Sequence, residues 1–279
     1  MLGLIDRVIG LAEANDDQLV AALAEAEQGF AGSKILPQAA EHLLMAIRQN
    51  PEVLSRVAFA VTLAGVGELW LATMRRLEQA PGSRSDLELL TICTAFRHAG
   101  AYDDMQRIAN LLTSLPEDDS PPACIASSKE NYELGMAAYQ IGDYALSQAY
   151  FYLSYVQAMR GGDRVGALFA SMNVSGLIYP ALGLWREGLW LSERVSVEAN
   201  EIATNMSAEA AKRPLRIVMN CCIHRIDIAI QLGKEPQYLE DLCQRLDANP
   251  VYFASREQEW ARGAVARARE YIRSEQQLD

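Results

Sequence analysis

At 279 residues, with 50% hydrophobic and 22% charged side chains, the chain is long enough for one elongated domain or two compact ones and too apolar to be disordered. Its 18 glycines and 10 prolines are ordinary numbers, which removes collagen-like and low-complexity classes. The formal net charge of −11, densest at Glu117, Asp118 and Asp119, gives no basic face for nucleic acid or an anionic membrane; it speaks first for solubility and is compatible with a basic partner.

The amino terminus reads as a short amphipathic helix over 2–14, with Leu4, Val8 and Leu11 near a period of 3.6. Asp6 and Arg7 interrupt its apolar run, so a secretory signal is not expected. Asn15-Asp16 offers a cap for a second helix ending near Gly29, and Pro37 is placed to open the third after a loop over 30–36. A helical pair follows at 53–64 and 68–79, turned at Gly65-Val66-Gly67, and another at 86–98 and 102–115, turned at Gly100. Pro116, Pro121 and Pro122 predict a loop over 114–128. Beyond it come two helical hairpins over 130–194 and a long helix from Leu184 to Asn205. Another starts near Ala208, with Pro214 at its start or at a kink, and 236–246 follows. The last helix, 255–274, has Ala261, Val265, Ala268 and Ile272 on one face and Arg262, Arg269 and Arg273 on the other, the polar outer surface a terminal cap requires.

The stretch 130–194 holds two copies of one pattern. Gly135, Gly142 and Tyr144 in the first match Gly176, Gly183 and Trp185 in the second. Corner glycines recur at Gly65, Gly100, Gly142, Gly183 and Gly233, at intervals of 35, 42, 41 and 50 residues. A glycine in the left-handed region lets a helix end and the chain reverse, and an aromatic two positions on (Tyr102, Tyr144, Trp185) fills the wedge. Each copy resembles a helical hairpin of the tetratricopeptide family, whose strict arrays repeat every 34 residues, so these repeats are degenerate. The segment 165–185 carries no charge and is long enough to span a bilayer. Its glycines and Asn173 nevertheless fall where the repeat wants them, and a buried hairpin explains it better than a membrane span.

The resemblance, clearest over 129–195 and extending over 51–250, implies an all-α, right-handed α-solenoid of antiparallel hairpins; with irregular N-terminal helices at 1–50 and a capping helix at 251–279, about a dozen helices are expected to form one domain over 1–279. One hairpin cannot bury its own apolar face, so hairpins stack. In that family the first helix of each hairpin lines a concave groove. The resemblance therefore assigns Tyr132, Met136, Tyr139 and Gln140 from the first copy and Asn173, Leu177 and Ala181 from the second, with Pro180 departing from the pattern. The pair ending at Gly100, with Cys93 where glycine is expected, adds Leu90, Thr94, Arg97 and His98. Aromatics and Met give adaptable apolar contact, and Asn, Gln and Arg suit a peptide backbone or carboxylate. The helix 144–159 carries Tyr144, Phe151, Tyr150, Tyr152 and Tyr155, more aromatics than one buried stripe absorbs. Tyr144 and Phe151 are expected in the core; Tyr152, and Trp190 on the next helix, are candidates for a second interface.

Catalytic motifs are missing. The histidines, His42, His98 and His224, form neither Glu-x-x-His nor His-Glu-x-x-His, and no Gly-x-x-x-x-Gly-Lys-Ser/Thr loop occurs. Asp103-Asp104 lacks the third acid of a helical diphosphate-ionising enzyme, and Cys221, Cys222 and His224 do not share one helix face for zinc. The five cysteines, odd in number with two adjacent, are expected as buried free thiols in a reducing, cytoplasmic setting. The expected function is a non-catalytic protein-interaction module, an adaptor or chaperone-like scaffold that takes a protein or peptide partner and needs no metal or cofactor. A self-assembling homo-oligomer is the alternative, and a helical enzyme with a dispersed site is third.

Overall fold

The computed structural model describes residues 2–12, 16–64, 66–82, 84–112, 116, 118–249 and 255–276. Among them every regular element is helical and none is a strand. The chain divides into two compact units, Met1–Leu112 and Thr113–Asp279.

The N-terminal unit holds α1 (Leu2–Ala12), α2 (Asp16–Phe30), α3 (Leu36–Gln49), α4 (Pro51–Ala64), α5 (Glu68–Gln79), α6 (Asp86–His98) and α7 (Tyr102–Ala109). Pro37 lies in the first turn of α3, as its missing N–H allows. In α1 the buried residues are Ile5, Val8 and Ala12, so the inner face is turned slightly from Leu4 and Leu11. The predicted pairing of 53–64 with 68–79 is not the main one: α5 packs chiefly on α3, and α4 chiefly on α2. A side-chain tie also joins α2 to the start of α5. Gly67 at its N-cap has no side chain, and the Glu27 carboxylate of α2 takes over, accepting from the N–H groups of Leu69 and Trp70, each at 2.9 Å. Glu68 returns the contact by accepting from the Gly32 N–H at 2.8 Å. Trp70, Phe30, Leu43, Met74 and Leu77 fill the core of this unit. Asn15 and Gly65, expected as cap and corner, lie outside the described residues.

The C-terminal unit holds α8 (Pro121–Gln140), α9 (Tyr144–Gly161), α10 (Arg164–Asn173), a π-helical turn (Val174–Ile178), α11 (Tyr179–Ala181), α12 (Trp185–Thr204), α13 (Ala208–Gln231), α14 (Pro236–Ala248) and α15 (Ser255–Glu275). Each packs on its successors: α8 on α9, α9 on α10, α10 on α12 and α13, α12 on α13, and α13 on α14 and α15. The expected loop over 114–128 is shorter than predicted, because α8 begins at Pro121. Two prolines occupy a first turn that needs no N–H, and the Ser120 side chain caps it by accepting from the Ala123 N–H. Pro214 lies inside α13, where it is buried.

The corners follow the expected chemistry. At Gly142 (φ 79°) the glycine N–H bonds to the Tyr139 carbonyl at 3.0 Å and the Asp143 N–H to the Ala138 carbonyl at 3.0 Å, the two bonds of a Schellman motif. The same pair of bonds closes the turns at Gly100, Gly183 and Gly233, and also at Gly162, which was not expected. Asp143 and Asp163 follow their glycines directly and cap α9 and α10.

Between α8 and α9 the two backbones come close. Ser147 donates to the Gly135 carbonyl at 2.7 Å and Ser128 to the Ser154 carbonyl at 2.8 Å, while a Cβ on Gly135 would come within 3.1 Å of the Phe151 ring. Serines seven residues apart on α9 thus meet Ser128 and Gly135, seven apart on α8, in antiparallel register. Gly176 has a different neighbour: a Cβ there would fall 1.4 Å from Nδ1 of His224 on α13. Pro180 explains this. It has no N–H to give the Gly176 carbonyl, so the helix widens, Tyr179 N–H reaches back to the Val174 carbonyl, and the His224 ring bonds to the Gly176 backbone.

Candidate binding face on α8 and α10

Tyr132, Met136 and Tyr139 recur at spacings of four and three and so share one face of α8. They pack, half-buried, with Val174 around the wholly buried Phe151, Ala170 and Ile178. The Tyr132 and Phe151 rings meet edge to face, 5.6 Å between centroids at 71°. Tyr139 lies 5.7 Å from Tyr144, tilted by 48°. Across the face, Asn173 at the end of α10 is buried and points its Nδ2 at the Met136 sulfur, 3.8 Å away. Burial first, and Tyr144 second, push the Tyr139 phenol above its ordinary value of 10.0, so the face stays uncharged through the neutral range.

Of the predicted groove residues, Tyr132, Met136, Tyr139 and Asn173 come together. Gln140 is exposed at the end of α8, beside Tyr139 in sequence. Leu177 is half-buried within the π turn, where Val174 and Ile178 on either side close the apolar cluster. The extra residue of a π turn rotates the positions after it, which a regular helical register does not anticipate. Arg97 is half-buried on α6 and belongs to the N-terminal unit. Tyr152 and Trp190 are open, at 66% and 57% exposure, and Arg194 sits 5.0 Å over the Trp190 ring. Tyr144, expected in the core, is half-buried because it stacks on Tyr139 at the corner.

Sequence reading missed Phe151, Val174 and Ile178 as the floor of this face. Phe151 was expected in the core, but no local signal tied it to Tyr132. The five cysteines are buried and free, and burial pushes the Cys221 thiol up to about 12. A separate tie joins α12, α13 and α14: Arg225 donates to the Tyr238 hydroxyl at 2.7 and 2.9 Å, and that hydroxyl donates to Glu193 at 2.9 Å. Among the described residues, no helix is long and apolar enough to cross a membrane. Compared with known proteins, the chain matches no protein-family model and no curated protein sequence.

Proposed function

We infer that this protein is a non-catalytic interaction module whose C-terminal helices stack as a right-handed, tetratricopeptide-like solenoid. Its α8–α10 face holds an extended peptide or a helix of a protein partner. The observation that carries this reading is the meeting of Tyr132, Met136 and Tyr139 with Asn173 on one uncharged face spanning two successive hairpins. Rings and a thioether accept apolar side chains of varied shape, the exposed amide of Gln140 supplies a donor and an acceptor for a peptide backbone, and the buried Asn173 amide holds Met136 in place. Sequential packing from α8 to α15 supports the stacked arrangement. The groove assignment of Leu177 belongs to the same proposal; that of Arg97, on α6 of the N-terminal unit, is a separate one.

The test is selection of peptides from a random display library on the full chain, followed by titration of the selected peptides. Met136→Ala combined with Tyr139→Ala should weaken binding by about ten-fold or more, roughly the 1.4 kcal/mol or more carried by central aromatic and Met contacts. Helicity by circular dichroism should be retained. Unfolding of the double variant, or selected peptides that bind it undiminished, would rule the face out.

A further inference from the structure

Helix α9 is inside out. Its buried residues are Ser147, Phe151, Ser154, Gln157 and Ala158, three-fifths of them polar, whereas its exposed ones include Ala145, Leu146, Ala149, Tyr152, Tyr155 and Met159. Tyr152 is 66% and Met159 44% exposed. Between Asp143 and Arg160 the helix carries no charged residue, in a chain of net charge −11. The serines inside are accounted for by their bonds to α8. The apolar outer face has no such account, and it is ordered: Ala145, Ala149, Tyr152, Val156 and Met159 are spaced four, three, four, three. That is the 3.5-residue period of a seam between two helices, not of a surface stripe.

We propose that the occupant of this seam is α9 of a second copy of the chain, packed antiparallel about a two-fold axis at Tyr152. The seam is symmetric in position about Tyr152 to within one residue, with Ala145 and Met159 seven away on either side and Ala149 and Val156 three and four away, and it is asymmetric in size. An antiparallel partner sets Ala145 against Met159, Ala149 close to Val156, and Tyr152 against its own copy, so small meets large on either side of the central tyrosine pair. A parallel partner sets Ala on Ala and Met on Met, leaving a wedge. Charge selects the same sense: α9 opens at Asp143 and closes at Arg160, so reversing the partner brings opposite charges and opposite helix ends together. The Arg160 pair with Asp119, at 2.6 Å and half exposed, leaves the guanidinium on the surface where it meets the partner's helix start. From Ala145 to Met159 the seam runs about 21 Å, shorter than a standard interface needs, so the dimer forms with concentration instead of being permanent. This association uses a different helix face from the peptide site and is independent of it.

Sedimentation equilibrium of the full chain over a concentration series should show the mass climbing from 30.8 kDa toward twice that value. Tyr152→Arg, which sets two like charges on the axis, should abolish the rise. Orientation is read by crosslinking with a short bis-maleimide, since the native thiols are buried. Tyr152→Cys should link to itself; Ala145→Cys should not, but should link to Met159→Cys in a mixture of the two variants. These arms hold even if Tyr152→Arg fails to fold. A chain monomeric at submillimolar concentration overturns the proposal, as does self-linking by Ala145→Cys. Wild-type monomer that instead co-sediments with phosphatidylcholine vesicles, and loses this with Tyr152→Arg, would assign the seam to lipid and overturn it as well.

Discussion

Where the backbone enters α5, a missing side chain makes room for a distant one. A Cβ on Gly67 would lie 2.2 Å from Glu27 Oε2, so Gly67→Ala must expel the carboxylate that accepts from Leu69 and Trp70. Loss of such a cap costs about 1–2 kcal/mol, and urea unfolding of the variant should show a loss of that size. The protonation of Glu27 gives a second prediction. Burial pushes its carboxyl above the ordinary 4.5, with Glu68 adding to the rise, while the backbone N–H groups of Trp70, Leu69 and Gly67 pull it down. The folded chain therefore holds this proton more tightly than the unfolded one. The stability Glu27 contributes through that proton is complete below 4.5 and is lost as pH rises through the higher folded value. In unfolding series from pH 4.5 to 7, Glu27→Gln should gain on the wild type as pH rises; a constant gap would show that Glu27 titrates normally. Neither residue was legible in the sequence, because a carboxylate that caps a helix some forty positions away leaves no local pattern. By contrast Tyr132, Met136 and Tyr139 were named through the tetratricopeptide resemblance, and their spacing of four and three is one that a helix places on a single face.

Elements were legible in proportion to how local their causes are. The turns at Gly100, Gly142, Gly183 and Gly233 were readable because a helix reversal needs a left-handed residue and an aromatic marked three of them. Gly162 escaped because Arg164, not an aromatic, stands two positions on; the Gly-Asp pair it shares with Gly142-Asp143 was the usable signal. The start of α8 was hidden by reading Pro121 and Pro122 as breakers, when at the first helical turn they cost no hydrogen bond. The π turn was hidden for the opposite reason: the departure at Pro180 was visible, but its relief by His224 comes from α13. The His224 ring is held below the ordinary 6.5 by burial, against the raising influence of its Gly176 bond and of Asp227. Pro180→Ala returns an N–H to the Gly176 carbonyl and removes the need for the His224 bond. With that bond gone, NMR titration should place the His224 midpoint further below 6.5 than in the wild type. An unchanged midpoint would mean that proline does not set the π turn.

At the scale of the molecule, the two units draw their apolar cores from separate stretches of chain. The large core of the second is built from residues between Val165 and Ala268, chiefly α10, α12, α13, α14 and α15, whereas Trp70, Met74, Leu77 and Phe30 lie in the first. Damage inside one core should then be felt by the amides it protects and fade elsewhere, as local unfolding units do. Gly67→Ala provides the perturbation and hydrogen exchange the readout. The Leu69 and Trp70 amides, whose acceptor is the displaced Glu27, should exchange faster by about ten-fold, the equivalent of a 1.4 kcal/mol loss. Amides in the middle of α13, around Ile217 and Ile226, both wholly buried, should keep their protection. If α13 loses protection in step with α5, the chain opens as one cooperative body and the separation of its cores has no energetic counterpart. If only α5 and its neighbours respond, stability in the first unit can be tuned without disturbing the α8–α10 face or the α9 seam.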